Sequence, residues 1–466
     1  MIEGLTVPSL FKKQDEYHER AFGKRYFACF PDLGTGKTFM ILREMLTMWQ
    51  ADMVDGILIV SPVDIYAQWL DELAKFTSTP YRSSAWPEEP VFTSSQWPRI
   101  FCIYPEAFRL NKKASTKVFK MLQKFLKSGR IGLCIDESQM IGALRSKQRR
   151  RIQALKRLAS YRRITSGYPA PKKIQFLPQY NFLSTEILKT KTKEAFQQDF
   201  CEMGGFMGKK ITGYKNDEEF LRRTAPWTFT CKLEDCMDMP ERTWIKIPVK
   251  LSDEQRRLIQ EIKKDFRAQL GKDVIFLPHV LQRLTRIQQV TCGFLPKLND
   301  KGETIGIRWL KEYRTEALEN WLERVNGKVI IWVYYKPSLN RLFDHFDDGS
   351  AVKYQGGMSR EEKADAKNRF MHDPKCTRLF AQPKSLGAGV NGLTVARYSI
   401  YWNNVHDSQP RKQTERRTWR AGQSKACVYA DLCAAGTYDE KIAKTVMNSM
   451  EVSDSLMKDI ATWVNL

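Results

Sequence analysis

The chain has 466 residues, 42% of them hydrophobic and 28% charged, an ordinary balance for a globular protein with two or three packed domains. No apolar run approaches the roughly 20 residues needed to span a bilayer, which excludes a helical membrane protein. The 76 Lys and Arg against 53 Asp and Glu leave a formal charge of +23, spread along the chain, and a polyanionic partner is its simplest reading.

At the start, Met1-Ile2-Glu3-Gly4 lacks the basic and apolar regions of a signal peptide. The ten cysteines include no Cys-x-x-Cys pair and the five histidines do not cluster near them, so reduced thiols in a cytoplasmic protein are expected, and no zinc. Pro31-Asp32-Leu33-Gly34-Thr35-Gly36-Lys37-Thr38 then reads as a phosphate-cradling loop. Glycine permits the turn, the N–H groups of Gly34 to Thr38 wrap a β-phosphate, and a helix opening at Thr38 favours the anion. Lys37 would reach the β- and γ-phosphates of ATP, and Thr38 would hold Mg2+. Gln14, upstream, would read the adenine edge.

Short runs rich in β-branched residues follow. Residues 57–60 end at Ser61-Pro62, 100–103 at Tyr104-Pro105, 131–135 at Asp136-Glu137, and 163–165 at Ser166-Gly167. They read as buried parallel strands whose C-terminal ends carry polar residues, where open α/β sheets bind ligands. Asp136 would coordinate Mg2+ and Glu137 would polarise the attacking water. Arg145, Lys147, Arg149, Arg150, Arg151, Lys156, Arg157, Arg162 and Arg163 crowd the next stretch and would contact phosphates.

Residues 171–321 read as mostly helical, with a hinge over 239–248. A helix over 252–270 would be opened by a capping box of Ser252 and Gln255. A second strand set follows at 328–333, 378–381, 398–401 and 428–432, separated by helical stretches such as 359–371 and 439–450. Gln413, Arg417 and Arg420 fall at i, i+4 and i+7, one face of a helix, and supply cations for a transferring γ-phosphoryl group.

In this order the blocks resemble the SNF2-like branch of superfamily 2 helicases. Leu33 to Thr38 resembles motif I, and Ile59-Val60-Ser61-Pro62 with Gln68-Trp69 resembles motif Ia. Asp136-Glu137-Ser138-Gln139 is similar to the Asp-Glu-x-His box, and Ser166-Gly167-Tyr168-Pro169 to the Thr-Gly-Thr-Pro of motif III. Ser385-Leu386-Gly387-Ala388-Gly389-Val390-Asn391 resembles motif V, and Trp402-Asn403 the Trp-Asn-Pro element. Gln413, Arg417, Arg420, Gly422 and Gln423 fit motif VI. Two departures stand out: Gln139 replaces the usual His, and Asn404 the usual Pro.

The resemblance implies an α/β fold of two RecA-like lobes with parallel sheets, a P-loop NTPase of the superfamily 2 helicase core with helical insertions. Lobe 1 would span 1–240 and lobe 2 would span 241–466. It implies ATP and Mg2+ as cofactors and translocation on duplex or branched DNA, held by its backbone with little sequence preference. Gln14, Gly34, Thr35, Gly36, Lys37, Thr38, Asp136, Gln139, Gly389 and Gln413 would bind the nucleotide. Lys37, Glu137, Arg417 and Arg420 would be catalytic. Ser61, Pro62, Gln68, Arg145, Lys147, Arg149, Ser166, Gly167, Ser385, Asn391 and Trp402 would line the DNA path. Similarity to compact phage-encoded branch-migration helicases implies a cytoplasmic role in a bacterial host. Two other readings stay open: an RNA-directed helicase, and a nucleotide-regulated scaffold that binds nucleic acid without turnover.

Overall fold

The apolar runs of the first half form the middle of a parallel sheet. Its strands are drawn from β1 (Tyr26–Cys29), β2 (Gly56–Val60), β3 (Arg82–Ala85), β4 (Arg99–Ile103), β5 (Ile131–Asp136) and β6 (Arg162–Thr165). β7 (Cys201–Gly204) and β8 (Lys210–Tyr214) make a separate antiparallel hairpin, and β9 (Thr228–Phe229) completes the sheet in the order β3-β4-β2-β5-β6-β1-β9. The computed structural model describes residues 11–63, 65–66, 68–93, 96–109, 112–143, 146–270, 277–299, 304–386 and 393–464. The chain divides into two units, Met1–Asp238 with Met450–Leu466, and Met239–Ser449. Residues 450–466 therefore group with the first unit, where the sequence reading has 241–466 as one lobe; Leu456 and Met457 pack against the first unit's core.

Every residue of β2, β4 and β5 is buried, so neither face of the sheet's middle meets water. Alternate side chains feed two cores. Leu58, Val60, Phe101, Ile103, Leu133 and Ile135 join one, and Ile57, Ile59, Ile100, Cys102 and Cys134 join the other. Each such aliphatic or aromatic side chain contributes about 1.5–3 kcal/mol by leaving water. β3, with the sequence Arg-Ser-Ser-Ala, is polar enough for the edge it occupies.

The second unit holds another parallel sheet, made of β10 (Arg242–Val249), β13 (Val329–Trp332), β14 (Ala351–Tyr354), β15 (Arg378–Ala381), β16 (Tyr398–Tyr401) and β17 (Cys427–Ala434) in the order β10-β17-β16-β13-β15-β14. β11 (Phe294–Leu298) and β12 (Thr304–Trp309) form a second antiparallel hairpin. The capping box at Ser252 is present. Its N–H donates to Gln255 Oε1 at 2.9 Å and its hydroxyl accepts from the Gln255 N–H at 3.2 Å, opening the helix Asp253–Leu270. Among the described residues no helix is long and apolar enough to cross a membrane.

Two sequence expectations are corrected here. Residues 239–248 are not a bare hinge, because 242–249 extend as β10 along the whole of β17. Residues 171–321 are mixed, since they hold both hairpins besides their helices. β1, β3, β9 and β14 also go unannounced by the apolar pattern, being short or polar. β1 matters most: it launches the phosphate loop.

Candidate active site

Register brings the polar strand ends together. Val60 pairs with Ile135, so the next residue, Ser61, lies beside Asp136. Asp136 pairs with Thr165 and Cys29 also pairs with Thr165, so Glu137, Ser166 and the start of the loop emerge side by side. The loop's lead-in is clamped from β9 and the residues after it. Phe30 N–H donates to the Phe229 carbonyl at 2.8 Å, Asp32 N–H to Cys231 at 2.9 Å, and Thr230 Oγ1 to the Phe30 carbonyl at 3.0 Å.

The loop turns through Gly34 (φ 94°) and Gly36 (φ 87°), a region L-residues rarely enter. A Cβ on Gly36 would stand 2.5 Å from Gln14 Nε2. Gln14 is buried and donates that nitrogen to the Thr35 carbonyl at 2.8 Å; its Oε1 is buried without a hydrogen-bonding partner. Thr35 turns its hydroxyl back to the Asp32 carbonyl at 2.7 Å. The helix Lys37–Gln50 opens directly at Lys37, and no side chain caps it. An uncapped helix end behind left-handed glycines, with Lys37 and Thr38 in its first turn, fits a polyphosphate and its Mg2+.

Opposite the loop stand the two acids. Asp136 Oδ2 accepts from Ser61 Oγ at 2.9 Å and Trp69 Nε1 at 3.1 Å, and Oδ1 from the Glu137 N–H at 2.8 Å. Glu137 Oε1 lies 3.4 Å from Lys37 Nζ. Its Oε2 accepts from Gln139 Nε2 at 2.6 Å and Ser166 Oγ at 3.4 Å. Burial pushes the Asp136 carboxyl up, and the Glu137 charge adds to it. Burial would do the same to Glu137, but Lys37 and the bonds from Gln139 and Ser166 outweigh it and hold Glu137 below the ordinary glutamate range. Glu137 also adopts φ 47°, the left-handed region, unusual for a non-glycine residue. Ser138 Oγ donates to Gln179 Oε1 at 2.7 Å, and Gln179 Nε2 to the Pro169 carbonyl at 2.8 Å, tying the acidic box to the segment after β6.

Several residues expected along DNA sit elsewhere. Ser61 and Ser166 are fully buried and bonded to the two acids, and Gly167 is buried against the loop, where a Cβ would come 2.5 Å from Leu33 Cγ. Trp402 is 2% exposed, packed in the second unit's core. Arg162 and Arg163 are not a phosphate face. Arg162 donates to the Phe182 carbonyl at 3.3 Å, and Arg163 Nε bonds Glu44 Oε2 at 2.9 Å inside the first unit. Pro62, Gln68 and Ser385 are half-buried and Arg149 is exposed. Lys147 falls in the helix Ser146–Leu155. Arg145, Gly389 and Asn391 lie outside the described residues. The sequence reading gave no role to Trp69 or Gln179. A buried Asp at a strand end needs donors, and a Trp beside Gln68 was the available signal.

In the second unit the helix Ser408–Thr418 carries Gln413 and Arg417. Its inner side is fixed by Arg411, which bonds Glu415 Oε1 at 2.6 Å, also bonds Asp431, and stacks 3.6 Å over the Tyr401 ring. Asn404 joins this knot, donating to Asp431 Oδ1 at 2.7 Å and accepting from Arg411 at 3.0 Å. Gln413 and Arg417 are half-buried on the other side. Arg420 is not on that helix, which ends at Thr418; it follows in the turn, half-buried. Gln423 is structural, its amide donating to the carbonyls of Thr394, Ala396 and Thr418 at 3.0–3.2 Å.

Comparison with known proteins adds a lineage. The SNF2-related domain model matches residues 29–293. A DNA repair and recombination protein RAD54-like of Mus musculus is 22% identical over 92% of this chain and 62% of its own length, and that of Homo sapiens 24% identical over the same shares. A putative ATP-dependent helicase/translocase, YwqA of Bacillus subtilis, is 23% identical over 71% of this chain and 36% of its own. The chain thus spans about three fifths of the length of the first relatives. The solved Sulfolobus solfataricus SWI2/SNF2 ATPase core in complex with dsDNA is 17% identical, covering 99% of this chain and 96% of its own, with a TM-score of 0.41.

Proposed function

The chain belongs to the SNF2-related domain family, and from that premise we propose that it is a DNA-dependent ATPase that moves on duplex DNA and remodels branches. The observation that carries the reading is the buried cluster of Lys37, Glu137, Gln139 and Ser166 facing an uncapped helix N-terminus. A base held as carboxylate beside a phosphate-binding lysine is what water attack on a γ-phosphate needs.

The roles follow from the contacts. The loop N–H groups and Lys37 bind the phosphates, and Thr38 and Asp136 hold Mg2+, which neutralises phosphate charge when bound. Ser61 and Trp69 aim the Asp136 carboxylate. Glu137 orients water and takes its proton, and Gln139 and Ser166 fix its second oxygen. We assign Gln14 to the adenine edge. We assign Arg417 and Arg420 to the charge that develops on the γ-phosphoryl group, with Gln413 beside them. Pro62, Gln68, Arg149 and Ser385 are the surviving DNA contacts. The two units act as the two lobes. The names of the relatives favour DNA over RNA, and the intact cluster favours turnover over a passive scaffold.

Steady-state ATPase with no nucleic acid, linear duplex, a fork, a four-way junction and RNA duplex tests this. Stimulation by DNA, strongest on forks or junctions, is expected, and Lys37→Ala should abolish it. Stimulation by RNA alone would overturn the substrate, and no turnover at all would leave the scaffold.

A further inference from the structure

Among the described residues nine of the ten cysteines are buried, and Cys236 alone is half-buried. Its sulfur is in contact with Cys231 Sγ at 3.9 Å, and the proposed ATP chemistry uses neither thiol. The short segment between them is already folded. After β9 the chain passes Cys231, makes the 3₁₀ turn Leu233–Asp235 and brings Cys236 back. Leu233 is fully buried and anchors that turn. Lys232 N–H donates to Asp235 Oδ2 at 2.8 Å, and Cys236 N–H to the Leu233 carbonyl at 3.0 Å. Two thiols fixed in this way have little chain entropy left to lose on joining.

The two sulfurs are unlike. The thiol contact from Cys231 holds Cys236 below the ordinary cysteine range, against burial and the charge of Asp235, and Lys13 adds to the effect. The same contact and burial both push Cys231 up. A solvent-reachable sulfur with thiolate character beside a protonated buried one is the arrangement of an attacking and a resolving cysteine. Position gives the pair a consequence. The Cys231 carbonyl accepts the Asp32 N–H at 2.9 Å, and the Asp32 carbonyl accepts the Thr35 hydroxyl at 2.7 Å. Two hydrogen bonds thus connect Cys231 to the loop that turns through Gly34 and Gly36.

We propose that Cys236 and Cys231 are a site of reversible oxidation by peroxide, and that their disulfide loosens the phosphate loop and weakens nucleotide binding. The Cys236 thiolate attacks one peroxide oxygen. An S–O bond forms, the O–O bond breaks, and the other oxygen leaves as hydroxide, which takes up the proton Cys236 gave up. The Cys231 sulfur then attacks Cys236. An S–S bond forms, the S–O bond breaks, and the departing hydroxide takes the Cys231 proton. Each thiol gives up one electron and one proton, and the peroxide is reduced to two waters. Joining draws the Cys231 side chain from contact to bonding distance, and the pull falls on the residue whose carbonyl clamps Asp32. The inference rests on the nucleotide-site reading for its consequence and not for the bond itself.

The test treats the full chain with hydrogen peroxide, alkylates it and cuts it with trypsin without reduction. Cleavage after Lys232 separates the two cysteines, so the disulfide is read by mass as the peptides 224–232 and 233–242 joined and short of two hydrogens. The oxidised chain should bind a fluorescent ATP analogue about tenfold more weakly, the worth of about one hydrogen bond in the clamp, and dithiothreitol should restore it. Cys236→Ser should yield no joined peptide and bind the analogue like the reduced parent, before and after peroxide. Absence of the joined peptide in the parent would overturn the proposal, as would a joined peptide with affinity unchanged. Equal loss of affinity in peroxide-treated Cys236→Ser would also overturn it, by assigning the damage to another residue. A reduced chain that binds no nucleotide would be a failure of the ATPase reading, whereas thiols that do not join are a failure of this one.

Discussion

Glu137 occupies a left-handed backbone conformation that costs a non-glycine residue on the order of 1–3 kcal/mol, and surrounding bonds to Lys37, Gln139 and Ser166 hold it there. Glu137→Gln keeps size and loses the base; turnover should fall by about 10²–10⁴-fold with nucleotide affinity largely kept, read by single-turnover hydrolysis beside equilibrium binding. Because Glu137 lies below the ordinary glutamate range and Gln139 does not titrate, neither group should add an ionisation to the kcat profile between about pH 6 and 8. Gln139→His should introduce one, since imidazole ionises near about 6.5. A profile unchanged by that substitution would show that residue 139 does not touch the base. Ser61→Ala separates the expected DNA contact from the observed one. With Ser61 buried on Asp136, the variant should lose ATPase and keep duplex affinity; the reverse pattern would restore the sequence reading. The phosphate loop and acidic box were legible because their chemistry is local and their spacing short. Ser61, Ser166 and Trp402 were misplaced because a sequence locates a strand end without saying which way its side chain turns.

At the level of elements, the same limit explains the arginines of β6. Arg163 looks like part of a basic face until the fold brings Glu44 of the helix Lys37–Gln50 to it, with side chains 5% and 2% exposed. Tyr17 also donates to Glu44 Oε2, at 2.6 Å, and the ion pair fastens the phosphate-loop helix to the strand before Ser166. Glu44→Ala strands a buried guanidinium and should cost about 3–5 kcal/mol in urea unfolding, while Glu44→Leu with Arg163→Met should recover most of it. If the single variant unfolds like the parent, the pair is not what anchors this helix. Periodicity did find some helices: the expected capping box at Ser252 marks a real start, and the helical stretch read over 359–371 opens at Ser359, whose hydroxyl accepts from the Glu362 N–H at 3.1 Å. Short strands such as β9 carry no such signal. β9 is two residues long, and its role in clamping the phosphate loop exists only in three dimensions.

For the whole molecule, the excess of cations divides into two kinds. Arg163, Arg314 and Arg411 are buried and paired with Glu44, Asp439 and Asp431, so they serve the cores of their own units. The exposed remainder is the charge that the proposed DNA partner would meet. If about six phosphates are neutralised, doubling the salt should lower duplex affinity roughly 40-fold. Affinity indifferent to salt would remove the electrostatic argument for DNA. The central claim is that hydrolysis drives movement, and displacement of a third strand from a DNA triplex reports that most directly. The wild-type chain with ATP should release the third strand at a rate that grows slower with duplex length ahead of it, and Glu137→Gln should not release it. DNA-stimulated hydrolysis without any release would contradict the translocase account.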